Sequence, residues 1–180
     1  PLLSSRVVIR RTQPKTEDGR QSPHQEIRRL FVSAIESAEN LIYLENQYFS
    51  SNALFRALSR RMTDSGRPPL EIVMILAKDA NAFFEKISIG LMQAKLIARL
   101  EELASETGHK VGVYYPACLG TDGQEVPTYI HSKLFLVDDR FLSVGSANMN
   151  NRSMGLDTEE NVAWEAAPEE HAMIESIRLV

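Results

Sequence analysis

The sequence predicts an α/β fold, a three-layer sandwich in which helices flank a mixed β-sheet. Apolar, strand-like runs alternate along the chain with segments of helical periodicity, which is the pattern of this fold class. Two of the strand-like runs, residues 133–137 and 141–144, are joined by a short polar turn and are typical of a hairpin. The chain has 180 residues, 43% of them hydrophobic, which suits a single domain over residues 1–180.

The first quarter of the chain is predicted to contain a strand, a loop and a helix. Residues 2–9 are strand-like, and residues 12–21 are polar and rich in turn formers. Ser22 suits an N-cap, Pro23 suits the first helical position and Gln25 completes a capping box. We therefore expect the helix to begin at this point. Its apolar residues recur at intervals of three and four: Ile27, Leu30, Phe31, Ala34, Ile35 and Ala38.

The middle of the chain alternates strands and helices. The predicted strands cover residues 41–44, 70–76 and 111–115, and the predicted helices cover residues 52–64 and about 80–106. We expect a break in the longer helix near Gly90, with Leu91, Leu96, Leu100 and Leu103 in the core. On the shorter helix, we place Arg56, Arg60 and Arg61 on the outer side. Such charges usually form a solvated face, and contact with anionic lipid is the alternative.

The last third of the chain is expected to carry the chemistry. Residues 116–127 are predicted to form a loop that can act as a lid, and a final helix is predicted from Pro168. Between them, His131 and Lys133 are two residues apart on a strand, so both point toward one ligand. Gly145 lets the backbone approach a ligand closely. Two short hydrogen-bonding side chains follow it: Ser146 and Asn148.

These residue types suit the cleavage of a phosphodiester. Lys133 can offset the charge of the anion, and the imidazole of His131 can attack phosphorus or donate a proton to the leaving oxygen. A free histidine titrates at about pH 6.5, so both roles are accessible near neutral pH. Glu159 can fix the tautomer of His131. Asp138 has the opposite strand parity or lies in the turn, so it can hold the hairpin or pair with a basic residue rather than touch substrate.

The same residues resemble the HKD signature of the phospholipase D superfamily. His131, Lys133 and Asp138 stand as H-x-K-x-x-x-x-D, and residues 145–154 (GSANMNNRSM) are similar to the G-S-A-N-x-N-x-R-S-M run of the phospholipases. Two further segments resemble family motifs: residues 42–49 (IYLENQYF) resemble I-Y-I-E-N-Q-Y/F-F, and residues 157–159 (DTE) resemble D-S-E. The matches run from about residue 10 to residue 160.

The resemblance implies hydrolysis or transphosphatidylation of a phospholipid through a phospho-histidine intermediate, without a metal or cofactor. Two HxK motifs build one site in such enzymes, and this chain has one, in which His131 is expected to be the general acid. The implied catalytic residues are His131, Lys133, Asp138 and Glu159. The implied substrate-binding residues are Ser146, Asn148, Asn46 and Gln47.

A single HxK motif leaves two interpretations of the partner. In the first, the chain is the C-terminal lobe of a longer enzyme, its partner lobe lies upstream of Pro1, and residues 10–22 are the inter-lobe connection. In the second, two copies pair, as the single-motif nucleases of the superfamily do. We favour the first, because the motif wording resembles the second lobe of phospholipases. A second HxKxxxxD upstream would decide between them.

Composition and charge bear on the choice between function classes. The net charge of −4 argues weakly against a nuclease. A cardiolipin-synthase-like phosphatidyltransferase and a non-catalytic binding lobe both stay open. Peripheral membrane contact is compatible with the amphipathic helices, and no apolar run approaches the roughly 20 residues of a membrane span. We expect His24, His109 and His171 at the surface. The lipid headgroup, the acceptor, any metal dependence and the compartment are left open.

Overall fold

The computed structural model describes residues 6–16, 20, 22–78 and 83–167, with backbone only at residues 83–89. Ten strands and three helices lie within these residues. In chain order they are β1 (Arg6–Gln13), β2 (His24–Gln25), α1 (Glu26–Ser37), β3 (Leu41–Asn46), α2 (Asn52–Thr63), β4 (Glu71–Leu76), α3 (Phe83–Thr107), β5 (Lys110–Tyr114), β6 (Ala117–Leu119), β7 (Glu125–Pro127), β8 (Leu134–Val137), β9 (Phe141–Gly145) and β10 (Glu159–Glu165).

Eight of these strands form one mixed sheet in the order β2-β1-β10-β9-β8-β3-β4-β5. The strands β3, β4 and β5 run parallel, and all other neighbours in the sheet are antiparallel. Parallel neighbours need crossover connections, which α2 and α3 supply. The α/β class and the mixed sheet flanked by helices, both predicted from the sequence, are confirmed.

The main core lies between the helices and one face of the sheet. Buried side chains of all three helices share one apolar cluster with side chains of β3, β4 and β8. Within it, Phe31 of α1 meets Phe135 of β8 edge to face, with ring centroids 4.9 Å apart, a contact of about 0.5–1.5 kcal/mol beyond its buried area. A smaller cluster around Leu136 and Leu142 lies on the other face. The final helix predicted from Pro168 lies outside the described residues.

One edge of the sheet gathers the strand ends that carry the predicted site residues. The pairing register brings together Glu45 with Leu134, Gly145 with Asn161, and Thr12 with Glu159. The end of β3, the start of β8, the end of β9 and the start of β10 therefore lie side by side. We call this edge of the sheet the site edge.

The N-terminal elements differ from the prediction at their boundaries. β1 continues to Gln13, although a loop is predicted from residue 12. α1 begins at Glu26, and its N-cap Gln25 makes no side-chain capping hydrogen bond. The reason is that β2 pairs antiparallel with the end of β1. This pairing between segments outweighs the local capping signal at Ser22.

His109 and Arg61 are buried, although the sequence predicts both at the surface. The Nδ1 atom of His109 accepts a 2.7 Å hydrogen bond from the Leu70 N–H, and its Nε2–H donates to the Met62 carbonyl at 2.9 Å. The Nε–H of Arg61 donates to the Ala38 carbonyl at 2.7 Å. Both side chains thus satisfy backbone groups that would otherwise be buried without partners.

Two further segments depart from the prediction. The predicted loop at residues 116–127 contains the hairpin β6–β7, whose two strands are exposed. The helix α3 runs through Gly90 without the predicted break. Leu91 is exposed, whereas Leu96, Leu100 and Leu103 are buried as expected. The lid role of residues 116–127 stays a prediction, and His171 lies outside the described residues.

Candidate active site

His131 lies at the site edge just before β8, and it is exposed. The ring of Tyr129 stacks against its imidazole, with ring centroids 6.0 Å apart and an interplanar angle of 19°. The Tyr129 Oη accepts a 2.9 Å hydrogen bond from Gln47 Nε2, and the same nitrogen donates to Tyr48 Oη at 2.7 Å. A buried glutamine therefore holds the ring that packs against the predicted catalytic imidazole.

Lys133 is almost completely buried beside the backbone of His131. It is 8% exposed, and its Nζ donates to the His131 carbonyl at 2.9 Å. Burial lowers the pKa of the Lys133 ammonium group, and the carboxylate of Glu159 opposes this effect. An ammonium group has three N–H donors, so this one hydrogen bond leaves two for a ligand.

Ser146 and Glu159 are joined to each other across the site edge. The Ser146 Oγ donates to Glu159 Oε2, and it accepts a 3.1 Å hydrogen bond from the N–H of Glu160. Among the described residues, no hydrogen bond joins Glu159 to His131. The contacts of Glu159 are with Ser146 and, electrostatically, with Lys133. Its role in orienting the imidazole stays a prediction.

Asn148 presents an unsatisfied polar atom near these residues. Its Oδ1 is buried and has no hydrogen-bond partner within the described part of the chain. A buried polar atom without a partner costs about 1–3 kcal/mol. A ligand group that donates a hydrogen bond here would recover this cost. A phosphate oxygen only accepts, so the predicted phosphate contact of Asn148 would use its Nδ2–H donors.

Two buried asparagines hold the backbone of residues 146–150. Asn46 Oδ1 accepts from the Met149 N–H at 3.1 Å, and Asn46 Nδ2 donates to the Ala147 carbonyl at 3.4 Å. Asn161 Oδ1 accepts from the Ala147 N–H at 3.2 Å. Asn46, predicted to bind substrate, lies at the site edge, but its described hydrogen bonds are to protein backbone. Its structural contribution is to fix the loop that carries the site residues.

Gly145 is needed by the neighbouring strand. A Cβ built at this position would lie 2.4 Å from Asn161 Cγ and 2.4 Å from the carbonyl oxygen of Glu160. Non-bonded carbon atoms do not approach this closely, so β9 and β10 can pair here only with glycine. The close approach that the structure describes at Gly145 is that of the neighbouring strand β10. The approach of a ligand to this backbone stays a prediction.

Asp138 lies in the turn between β8 and β9, at the end of β8 away from the site edge. Its φ of 49° is in the left-handed region, which aspartate tolerates better than most residues. Its carboxylate accepts hydrogen bonds from the N–H groups of Glu39 at 3.0 Å, Asn40 at 2.8 Å and Leu41 at 3.0 Å. The strand β8, at about 3.3 Å per residue, separates it from Lys133. This placement favours a structural role for Asp138 over a catalytic role.

A groove of about 920 Å³ opens beside Ser146 and Glu159. The end of β1 forms one wall with Arg10 and Arg11. Arg11 donates to His24 Nε2 at 3.1 Å, so His24 is half-buried against β1 and does not stand free at the surface. The groove is of the size that small-molecule ligands occupy.

Tyr129 and Asn161 are two site residues to which the sequence motifs assign no role. Tyr129 has the same strand parity as His131, which is a signal that the two side chains lie on one side. Asn161 is a polar residue at a position where the alternation of β10 predicts burial, since Ala163 on the same face is also buried. A polar residue on the buried face of a strand indicates a specific hydrogen-bonding role.

The described residues contain no group of three or more His, Cys, Asp or Glu side chains that could hold a metal ion. None of the described helices combines the length and the apolar character that crossing a bilayer requires. The site edge carries imidazole, ammonium, hydroxyl, amide and carboxylate groups: those of His131, Lys133, Ser146, Asn148 and Glu159.

Comparison with known proteins identifies relatives of this arrangement. A family model described as "Cardiolipin synthase, PLD-like domain" matches residues 31–177. The chain is 29% identical over 182 residues to phospholipase D zeta 2 of Arabidopsis thaliana, an alignment that covers 83% of this chain and 17% of that protein. It is 32% identical over 162 residues to phospholipase D1 of Rattus norvegicus, an alignment that covers 73% of this chain and 15% of that protein. The chain therefore spans less than a fifth of these relatives.

Solved structures share the fold. NucT from Helicobacter pylori superposes with a TM-score of 0.61 at 15% identity, covering 96% of this chain and 93% of that chain. Phosphatidylserine synthase from Haemophilus influenzae Rd KW20 superposes with a TM-score of 0.63 at 12% identity, covering 96% and 37%. At these identities the similarity shows a common fold and leaves substrate and mechanism to the residues of the site edge.

Proposed function

Because the chain belongs to the phospholipase D superfamily, we propose that it is one catalytic lobe of a phosphodiesterase that hydrolyses a phospholipid or transfers its phosphatidyl group. The observation that carries this proposal is the position of His131 and Lys133 at one edge of the sheet. The His131 imidazole is exposed there, and the buried ammonium group of Lys133 donates to the His131 backbone carbonyl. Ser146 and Asn148 lie in the loop that follows Gly145, whose N–H donates to the Lys133 carbonyl.

In the proposed reaction, His131 is the general acid and then the general base. An imidazole of a second HxK motif attacks phosphorus, and the alcohol leaves with the proton of the His131 ring. Water then returns a proton to His131 and attacks phosphorus, which releases the phosphatidyl product and the second imidazole. An alcohol in place of water gives transphosphatidylation by the same steps.

Lys133 is proposed to bind a non-bridging oxygen of the phosphate with the N–H groups that the His131 carbonyl leaves unused. Its low exposure strengthens this attraction, because charges interact more strongly away from bulk water. Glu159 supports the charged form, since its carboxylate opposes the effect of burial on the pKa of Lys133. Ser146 and Asn148 are proposed to contact the same phosphate.

The proposal requires a second HxK motif from outside this chain. The short span of the chain within its curated relatives supports an upstream lobe, with residues 10–22 as the proposed connection. A second candidate is a homodimeric phosphodiesterase that acts on nucleic acid, and the coverage of 93% of NucT favours it, because one such lobe is nearly that entire chain. A cardiolipin-synthase-like transferase would use the same site with a different acceptor.

The test is the hydrolysis of phosphatidylcholine by the full protein with His131→Ala. We expect a loss of at least about a thousandfold, because a nucleophile and an acid that act as a unit are not half effective alone. Thermal stability should not change, because His131 is exposed. Ser132→Ala is the matched control, since Ser132 lies between His131 and Lys133 in the chain and its Oγ donates to Glu45 Oε2 at 2.7 Å. Near-normal turnover by His131→Ala would refute the proposal.

Phosphodiesterase activity measured against the concentration of this chain distinguishes the two candidate partners, the upstream lobe and a second copy. For an upstream lobe, this 180-residue chain alone is inactive at every concentration, and the longer protein is active as a monomer by light scattering. For the homodimer, activity of this chain rises with the dimer fraction. Cleavage of DNA without any turnover of phospholipid would replace the leading proposal by the second candidate.

A further inference from the structure

A second groove, lined mainly by arginine, lies between α1 and α2. Its volume is about 220 Å³, and its lining consists of Arg28, Arg29, Val32, Ala53, Arg56 and Arg60. Four of these six residues carry a positive charge and none carries a negative charge, in a chain whose net charge is −4. None of these residues lines the groove beside Ser146. We call this feature the arginine groove.

Two of the four arginines are unpaired within the described part of the chain. Arg28 donates to Gln25 Oε1 at 3.1 Å, and Arg60 forms an ion pair with Glu36. Arg29 and Arg56 are exposed and make no hydrogen bond or ion pair with any described residue. They come from different helices and line one groove, so their guanidinium groups can bind one anion together. Guanidinium binds phosphate oxygens in pairs, which gives both energy and orientation.

The arginine groove is close to the site edge. α1 follows β2 directly, and β2 pairs with the end of β1 at that edge. α2 begins there too, because the Asn52 N–H donates to Asn151 Oδ1 at 3.0 Å. Arg29 is the fourth residue of α1, and Arg56 is the fifth of α2. At a rise of 1.5 Å per residue, both lie within about 6 Å of the helix starts along the axes.

We propose that the arginine groove binds the phosphate of an anionic lipid headgroup and thereby holds the site edge against a membrane surface. The choice of a lipid rests on the proposed function, since a phospholipid substrate is presented at such a surface. The groove has a volume of about 220 Å³, which suits one headgroup. A nucleic-acid backbone repeats its charge along its length and takes an extended basic track, which this compact lining does not provide.

The test is the partition of the full chain onto vesicles of phosphatidylcholine with and without phosphatidylserine. Each basic residue near an anionic surface contributes roughly fivefold to membrane binding. Arg29→Gln combined with Arg56→Gln should therefore lower partition onto the anionic vesicles by about 25-fold. The effect should shrink at high salt, because the contact is exposed. Turnover of a water-soluble short-chain phosphatidylcholine should stay at the wild-type level, because neither arginine lies in the candidate active site.

The matched control is Lys95→Gln combined with Arg99→Gln, which removes the same charge from exposed positions on α3. We expect this control to retain most of the partition. Equal losses in the two double variants, or an unchanged partition of the groove variant, would overturn the inference. A groove variant that loses DNA binding but keeps vesicle partition would also overturn it, in favour of a nucleic-acid surface.

The same measurements keep this inference separate from the proposed function. Arginine-dependent partition by a protein that turns over no phospholipid would support the arginine groove and contradict the proposed function. Normal turnover of both soluble and vesicle substrates by the groove variant would overturn the inference that the arginine groove binds lipid. The proposed function would be unaffected.

Discussion

Tyr129 and His131 stack with their ring centroids 6.0 Å apart and their planes inclined by 19°. The Tyr129 hydroxyl accepts a hydrogen bond from Gln47, which follows the buried strand β3. The exposed imidazole thus rests against a ring whose own position is tied to the core. This contact reduces the rotational freedom of His131 before a substrate or a second lobe arrives, so we regard Tyr129 as a positioning residue.

Tyr129→Ala should lower kcat by roughly 2- to 10-fold with little change in KM, since an aromatic contact contributes about 0.5–1.5 kcal/mol. Tyr129→Phe keeps the ring and should retain most of the activity. Steady-state kinetics on a soluble phosphatidylcholine, with a pH profile for each variant, measures this. Tyr114→Ala, at an exposed tyrosine of β5, is the control. A loss in Tyr129→Phe as large as that in Tyr129→Ala would contradict a role for the stack.

Gly145→Ala should destabilise the protein by about 1–3 kcal/mol, because the added Cβ meets Asn161 and the carbonyl of Glu160 at 2.4 Å. Denaturant unfolding measures this. Gly90→Ala is the matched control, because a Cβ at this helical position meets nothing within 4 Å. It should stabilise the helix by about 0.5–1 kcal/mol. Equal stability of the two alanine variants would show that β10 can move away from β9.

Asp138→Ala should cost about 2–4 kcal/mol of stability, since three backbone N–H groups lose their acceptor. Asp138→Asn tolerates the positive φ and keeps one acceptor oxygen, so it should lose less. Turnover per folded molecule should stay near the wild-type level in both variants at low temperature. Loss of turnover in a fully folded Asp138→Asn protein would instead support a catalytic role for Asp138.

The stability of the fold should depend on pH through His109. Burial lowers the pKa of His109, the hydrogen bond to Met62 opposes this, and Arg61 adds to the lowering. The unfolded chain, with a histidine pKa near about 6.5, therefore binds the proton more readily than the folded chain. The contribution of the neutral ring is complete above about pH 6.5 and is lost as the pH falls below that value. Protonation would also remove the acceptor for the Leu70 N–H.

His109→Leu isolates this contribution. At pH 8 the variant should be less stable than the wild type by about 1–3 kcal/mol, because the Leu70 N–H loses its acceptor. The difference should shrink as the pH falls from about 6.5 toward 5. Urea unfolding of both proteins over this range measures it. A difference that stays constant with pH would mean that His109 does not titrate on unfolding.

Much of the architecture could be predicted from the sequence. The strands β3, β4 and β5, the helix α2 and the hairpin β8–β9 lie within a residue or two of their predicted positions. Their apolar periodicities depend on neighbours in the chain, so each segment carries its own signal. The start of α1 could not be predicted in this way, because β2 forms by pairing with β1 and overrides the capping residues.

The site residues follow the same division. Strand parity predicts one ligand-facing side for His131 and Lys133. In the structure both lie just before β8 at the site edge, His131 exposed and Lys133 buried, so their common ligand-facing side stays a prediction. Strand parity does not predict how deeply each side chain is buried. Lys133 is nearly buried beside the His131 carbonyl. Asn46 and Asn161 form hydrogen bonds with the backbone of one loop. These arrangements depend on strands that are distant in the chain and adjacent in the sheet.

The sequence by itself determined the α/β class, the mixed sheet and membership of the phospholipase D superfamily, because periodicity and motif wording are local properties of the chain. Only the tertiary structure decided which polar groups are structural. Asp138 binds backbone groups 97 to 99 residues away, and His109 joins Leu70 to Met62. The physical reason is that a buried polar group takes whichever partner the packing brings to it, and packing is set by contacts between distant segments.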